Sequence, residues 1–181
     1  MSPTLNRLLL LAVVALLASG CATFEAGAKA EAKPAAPAAK AEAPAAQLAK
    51  VVWHVDFADP RRLSAMIQNV NNMVSTYQGT FQEYDVRIVF IAGGIRFVTE
   101  DPLKRTPFAE DAQFRKQRKD LIQRLNQLRE LHGVKLELCE LTREAISLPK
   151  DKVIAGVEPV TSGVVRIAEL QSKGYAYLKV E

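Results

Sequence analysis

The sequence predicts an α/β fold, with helices on both faces of a mainly parallel five-stranded sheet, preceded by a signal peptide and a disordered linker. Three observations lead to this prediction. Residues 1–20 contain an apolar run of signal-peptide length, residues 21–48 are rich in Ala and Pro, and strand-like and helical segments alternate over 49–181. Strands separated by helices long enough to cross over favour parallel pairing, with helices covering both faces of the sheet.

The N-terminus has the pattern of a lipoprotein signal peptide. Its apolar run, residues 8–18, is too short to span a bilayer, which takes about 20 residues. The segment Ala18-Ser19-Gly20-Cys21 resembles a lipobox, the small-residue site where a cysteine receives a lipid and the signal is removed. We therefore predict a lipid on Cys21, the alternative being an ordinary secretory signal with a chance cysteine. Because Ala22 rather than Asp follows Cys21, we expect attachment to the outer membrane, facing the periplasm.

Residues 21–48 predict a tether rather than a folded unit. They are mostly Ala, Pro, Lys and Glu, and Pro34, Pro37 and Pro44 interrupt any helix. A coil of this length spans on the order of 30 Å, so the domain would stay close to the membrane. The formal net charge of +4 is too small to indicate a nucleic-acid partner.

The first half of the domain alternates between strand and helix patterns. Residues 50–56 are β-branched and apolar, which predicts a strand, and Asp59-Pro60 then provides an N-cap with proline in the first helical position. Apolar residues at spacings of three and four predict a helix over 60–78. Residues 85–92 are almost continuously hydrophobic, as a strand covered on both faces should be. The following Gly93-Gly94 is interpreted as a plain turn rather than a place where backbone approaches a ligand.

The second half continues the alternation. Thr106-Pro107 repeats the cap-and-proline pattern and predicts a helix over 107–132, which Gly133 ends. The remaining segments predict a strand over 134–139, a short helix from Thr142, a strand over 157–160, a helix over 162–173 and a last strand over 175–180. About 130 residues are enough for one hydrophobic core and not for two.

The familiar catalytic and cofactor-binding motifs are absent from the sequence, so we predict neither a cofactor nor a metal site. His54 is a weak catalytic candidate because it lies near the carboxyl end of the first strand, where open α/β sheets place ligands. The alternative is a half-buried histidine bonded to backbone. The basic run Arg115, Lys116, Arg118 and Lys119 is interpreted as a solvated helix face, with phosphate or lipopolysaccharide binding as the alternative.

Cys139 is the strongest candidate for a chemically reactive residue. The chain has two cysteines, and a lipid on Cys21 would leave Cys139 without an intrachain partner in an oxidising compartment. Cys139 ends a strand just before a helix, whose N-terminal dipole would stabilise a thiolate. Glu137, Glu140 and Glu144 lie nearby and would disfavour a second negative charge. Because these effects oppose each other, a reactive thiol and a buried, inert thiol are two equal alternatives for Cys139.

Residues 50–180 resemble the DsrE/DsrF-like family of small α/β proteins. The resemblance lies in the segments KVVWHVD, IQNVNNMV, VRIVFIAGG, GVKLELCELT and VEPVTSGVVRIAELQSKGYAYLKV. It implies an α/β/α fold with five parallel strands, and assembly into trimers or hexamers. In the sulfur-relay members, which are cytoplasmic, a cysteine at the end of this strand carries sulfur as a persulfide, and Cys139 occupies the matching place.

Two functions follow from these observations. The first is a membrane-tethered periplasmic protein that handles sulfur as a persulfide on Cys139, with a protein as sulfur donor or acceptor. The second is a non-catalytic oligomeric binding or scaffold module at the outer membrane, and the missing catalytic cluster favours a non-enzymatic role of this kind.

Overall fold

The computed structural model describes residues 48–181. The predicted signal peptide, the lipid site at Cys21 and all but the last residue of the predicted tether lie outside these residues. Within the described part of the chain, no helix is both long and apolar enough to cross a membrane.

Strands and helices alternate along the domain in the predicted order. The elements are β1 (Ala49–Val55), α1 (Pro60–Gly79), β2 (Tyr84–Phe90), α2 (Ala112–His132), β3 (Lys135–Cys139), α3 (Glu140–Ala145), β4 (Val157–Val160), α4 (Gly163–Ser172) and β5 (Ala176–Leu178). Two short 3₁₀ helices, Ala92–Phe97 and Lys150–Lys152, lie in the connections after β2 and α3. Each predicted strand and helix is therefore confirmed, with bounds that differ by a few residues.

The five strands form one parallel sheet in the order β4-β3-β2-β1-β5. Alternate residues of each strand point to opposite faces, and each face has its own apolar cluster. On one face, buried side chains of α1 and α2 such as Leu63 and Leu125 pack against β1 and β2. On the other face, Ile167 and Leu170 of α4 pack against the strands. Helices cover both faces, as predicted.

The long helix α2 begins later than predicted. The sequence placed its start at Thr106-Pro107, but Asp111 is the N-cap, and its carboxylate accepts a hydrogen bond of 2.8 Å from the backbone N–H of Phe114. Thr106 instead closes a local turn, because its hydroxyl accepts from Phe108 N–H and donates to the carbonyl of Leu103. A cap-and-proline pair thus formed a turn, while an acidic residue five positions later began the helix.

Gly93 and Gly94 do not form the plain turn predicted. They belong to the 3₁₀ helix after β2, and both backbones press against the segment that follows β1. A β-carbon on Gly94 would lie 2.2 Å from the carbonyl oxygen of Val55, and one on Gly93 would lie 2.9 Å from the carbonyl carbon of Phe57. Glycine is required here for close packing between two backbone segments.

The basic run of α2 is only partly a solvated face. Arg118 is largely covered, since it forms an ion pair with Glu110 and its guanidinium carbon lies 5.3 Å from the centroid of the Phe114 ring. Arg115 pairs with the same Glu110. The prediction of a solvated face is therefore wrong for Arg118, whose charge is paired with Glu110 at the start of α2.

Candidate functional site

The candidate site is built around Cys139, which ends β3 and caps α3. The helix begins at Glu140, two residues earlier than predicted from Thr142, so Cys139 lies directly at the turn from strand to helix. The residue is 4% exposed. Its sulfur has no hydrogen-bond partner among the described residues, and it makes no side-chain capping bond to α3. The thiol of Cys139 is therefore buried and makes no hydrogen bond to the described part of the chain.

The first turn of α4 lies over this thiol. Gly163 is the first residue of α4, and a β-carbon on it would lie 3.1 Å from the β-carbon of Cys139 and 2.5 Å from a side-chain carbon of Ile91. Only a glycine lets the helix approach this closely. The ten-residue helix begins at this contact, and the N-terminus of a helix carries a partial positive charge.

A shallow cavity of about 340 Å³ opens above Cys139. Its lining comes from the end of β2, the segment before α2, α3 and the start of α4, and consists of Ile91, Ala92, Phe108, Cys139, Leu141, Thr142, Ala145, Ser162 and Val164. None of these side chains is charged. Leu141 and Val164 are 56% and 67% exposed and form its mouth. A reactant that reaches Cys139 through this cavity meets an almost wholly apolar wall.

The carboxylates near Cys139 are all paired with arginines. Glu137 is fully buried and accepts hydrogen bonds of 2.8 Å from both Arg87 and Arg166. Burial alone would raise the pKa of Glu137, but the bonds from Arg166 and Arg87 outweigh it and hold this pKa below its usual value.

Arg143 similarly pairs with the other two acidic side chains. It donates hydrogen bonds to Glu140 and Glu144, and the bond from Arg143 lowers the pKa of Glu140. The prediction that Glu137, Glu140 and Glu144 would oppose a thiolate treated them as free charges. Arg143 is three positions from Glu140 and one from Glu144, so this pairing is local, whereas the arginines that pair with Glu137 lie far from it in the sequence.

His54 lies on the same face of the sheet but belongs to a different cluster. Its Nδ1 is 2.8 Å from the hydroxyl of Tyr177 on β5, and its Nε2 is 4.0 Å from the carboxylate of Asp56. Asp56 also accepts a hydrogen bond of 2.9 Å from Lys179. Burial lowers the pKa of His54, although the nearby Asp56 acts in the opposite direction. His54 is thus held by side chains rather than by backbone.

The sheet keeps this histidine cluster apart from Cys139. Val55, Phe90 and Leu138 are in register across β1, β2 and β3, so the next residues, Asp56, Ile91 and Cys139, lie side by side. With neighbouring strands about 4.8 Å apart, the Cα atoms of Asp56 and Cys139 are separated by about 10 Å. Ile91 follows the strand between them, so His54 is not placed beside Cys139 as a catalytic partner would be.

Three contributions to the site were not predicted from sequence. Gly163 carries α4 over the thiol, and Arg87 and Arg166 pair with Glu137. The signal available for the first was a serine cap followed by glycine, directly after a strand. No comparable signal identified the two arginines, because they lie 50 and 29 positions from Glu137. Among residues 48–181, no group of three or more His, Cys, Asp or Glu side chains is arranged to hold a metal ion.

A solved structure of similar fold and a family model both match this chain. Comparison with curated proteins returns no match. Among solved structures, the fold is similar to a protein of unknown function from Methanobacterium thermoautotrophicum, MTH1491, with 23% identity, a TM-score of 0.55, and coverage of 72% of this chain and 98% of that one. The ychN protein of E. coli is 15% identical, with a TM-score of 0.42 and coverage of 73% and 99%. The family model described as DsrE/DsrF-like matches residues 32–180. This chain therefore belongs to the DsrE/DsrF-like family.

Proposed function

We propose that this protein carries sulfur as a persulfide on Cys139, at the periplasmic face of a membrane to which a lipid on Cys21 tethers it. The observation that supports this most strongly is the placement of Cys139. It combines a buried, unpartnered thiol, the first turn of α4 packed against it and a cavity that reaches it from outside. Family membership supplies a sulfur-relay type of fold for this arrangement.

The proposed step is a transfer of one sulfur atom without net oxidation. The thiolate of Cys139 attacks the outer sulfur of a donor persulfide, R–S–SH, and a new S–S bond forms at Cys139. The S–S bond of the donor breaks, and its electron pair leaves with the donor as R–S⁻, which then takes up a proton. A second thiol reverses the sequence by attacking the outer sulfur on Cys139.

The surroundings of Cys139 suit both halves of this exchange. The start of α4 stabilises the anionic sulfur before attack and again when Cys139 becomes the leaving group. Pairing of Glu137 with Arg87 and Arg166 keeps the nearest buried carboxylate from opposing that charge. Because Cys139 is only 4% exposed, water and oxidants have limited access to its sulfur.

Intact mass spectrometry of the full chain tests the proposal. Exposure to a persulfide donor should add the mass of one sulfur atom to the wild type and none to Cys139→Ser. Dithiothreitol should remove the added mass. Peptide mapping separates Cys139 from Cys21, the only other cysteine. An unmodified wild-type chain, under conditions that load a control protein thiol, would reject persulfide handling at Cys139.

The proposed location depends on Cys21 and has its own test. Metabolic labelling with a palmitate analogue should label the wild type, and the label should be lost in Cys21→Ser but kept in Cys139→Ser. Fractionation should place the labelled protein with the outer membrane. A soluble, unlabelled wild-type protein would reject the lipid tether without bearing on the chemistry of Cys139.

A second candidate is a non-catalytic scaffold that assembles into trimers or hexamers. It is favoured by the apolar side chains exposed near Cys139, since Leu141, Val164 and Val165 are each more than half exposed. Sedimentation of the full chain would then show an oligomer that Val165→Asp dissociates and Cys139→Ser leaves intact. If Cys139 also fails to load sulfur, the scaffold is the better account.

A further inference from the structure

We infer that the cavity above Cys139 selects small, uncharged, apolar sulfur compounds, so that an organic persulfide of this class reaches the thiol in preference to an anionic one. This inference rests on the proposed sulfur chemistry and adds the class of donor to it. It follows from the charges, hydrogen bonds and dimensions of the cavity.

Both hydroxyl oxygens of the lining already accept a hydrogen bond from backbone. The hydroxyl of Thr142 accepts a hydrogen bond of 3.1 Å from the backbone N–H of Ala92. The hydroxyl of Ser162 accepts from the backbone N–H of Val165 as the cap of α4. The sulfur of Cys139 is left as the lining group without a hydrogen-bond partner among the described residues. Apart from this sulfur, the polar side-chain groups of the lining are two hydroxyls already engaged with backbone, and the other lining side chains are apolar, so most of a ligand in the cavity would contact apolar groups.

A charged donor finds no counter-ion in the lining. None of the nine lining residues is Lys, Arg, His, Asp or Glu. The nearby basic side chain Arg143 is paired with Glu140 and Glu144, and Arg166 is paired with Glu137. An anion that enters would lose hydration without gaining an ion pair, and the partial positive charge at the start of α4 would offset only part of that loss.

The dimensions agree with a small ligand. A volume of about 340 Å³ lies near the lower end of the range for small-molecule sites, roughly 300–1,000 Å³. Leu141 from α3 and Val164 from α4 are the exposed large apolar side chains of the lining. An aryl or alkyl group would pack between these two side chains while its sulfur atoms reach Cys139.

Alkylation of the full chain measures this preference without depending on sulfur transfer. The reagents are iodoacetate, iodoacetamide and N-benzyl iodoacetamide, which share one reactive group and differ in charge and apolar area. In each case the thiolate of Cys139 displaces iodide and forms an S–C bond. Rates at Cys139, followed by peptide mapping, are divided by the rates for free cysteine at the same pH. We expect the benzyl reagent to exceed iodoacetate by about tenfold after this correction, as expected when an apolar site gains one group.

Matched substitutions test whether the cavity causes the selectivity among the three reagents. Val164→Lys places a cation in the mouth and should abolish most of this selectivity. Val165→Lys adds the same charge to the same helical turn, at a residue that is 55% exposed but does not line the cavity, and should leave selectivity unchanged. Leu141→Asn, on α3, provides a second mouth variant should Val164→Lys fail to fold.

The possible outcomes of these experiments distinguish a failure of this inference from a failure of the proposed sulfur function. Equal corrected rates for the three reagents, or equal effects of the two lysine variants, would overturn the inference. Alkylation that slows as protein concentration rises would also overturn it, because a second copy would then cover the mouth. Selective alkylation without any persulfide loading would reject the sulfur function alone. Equal loading from glutathione persulfide and benzyl persulfide would reject the apolar preference alone.

Discussion

Gly163 packs directly on Cys139, since a β-carbon on Gly163 would lie 3.1 Å from the β-carbon of the cysteine, closer than an ordinary van der Waals contact. This contact joins α4, which packs on this face of the sheet, to the proposed reactive residue. The position of α4 over the thiol therefore depends on one side chain being absent.

Gly163→Ala should destabilise the domain and slow reactions at Cys139. The added methyl group would lie 2.5 Å from a side-chain carbon of Ile91, and overpacking of this kind costs about 1–3 kcal/mol. Urea unfolding and the alkylation rate of Cys139 measure the two effects. Gly79→Ala is the matched control, because nothing lies within 4 Å of a β-carbon there. Equal stability of the two variants would show that α4 does not press on Cys139.

Glu137→Ala should be among the most destabilising substitutions on the α4 face. It would leave Arg87 and Arg166 without their shared buried carboxylate, and removing one partner of a buried ion pair costs about 3–5 kcal/mol. The free energy of unfolding in urea gives the value. Glu169→Ala, which removes an exposed partner of Arg166, should change stability by less than about 1 kcal/mol. A small change in the free energy of unfolding at both positions would mean that the buried ion pairs contribute little to stability.

Stability should fall in acid because of Asp85. Burial opposes ionisation, but hydrogen bonds from Arg87, Tyr175 and Lys135 lower the pKa of Asp85 from 3.8 to about 2. A lowered native pKa stabilises the fold at pH values above 3.8, and this contribution is lost as the pH falls from 3.8 through about 2. The stability difference between wild type and Asp85→Asn should therefore be constant near neutral pH and shrink below pH 4. A difference that stays constant down to pH 2 would contradict the ion network.

His54 should add a second pH dependence at a higher range. Burial lowers its pKa from 6.5, so the neutral imidazole is favoured in the native state. Its contribution to stability is complete above pH 6.5 and falls as the pH drops through the lowered native pKa. An NMR titration of the His54 ring should place its midpoint below 6.5. In His54→Asn, the loss of stability between pH 7.5 and 5 should be smaller than in wild type, and a midpoint above 6.5 would contradict this account.

The sequence was sufficient to predict elements whose patterns are local. The apolar spacing of α1, its Asp59-Pro60 start and the buried run of β2 each match the structure within a residue or two. The start of α2 was wrong because Thr106 and Asp111 both offer capping oxygens, and only the three-dimensional contacts select Asp111. Local signals compete in this way wherever two caps lie within a few residues.

The sequence predicted the residue at the centre of the candidate site but not the side chains that surround it. Cys139 was identified from the sequence because it ends a predicted strand and a predicted helix follows it. The pairing of Glu137 with Arg87 and Arg166 was not predicted, because those partners come from β2 and α4. The cavity likewise needs four chain segments that are distant in sequence. His54 was correctly placed near a strand end, but its separation from Cys139 depends on the sheet register.

The most direct test of the central claim is a loading and discharge measurement at Cys139. The full chain is treated with benzyl persulfide, freed of excess donor, and then mixed with a thiol acceptor while intact mass is followed. We predict that Cys139 gains one sulfur atom, loses it to the acceptor and returns to its starting mass, and that Cys139→Ser does neither. A wild-type chain that gains no sulfur at Cys139, or that gains it and cannot pass it on, would contradict the account.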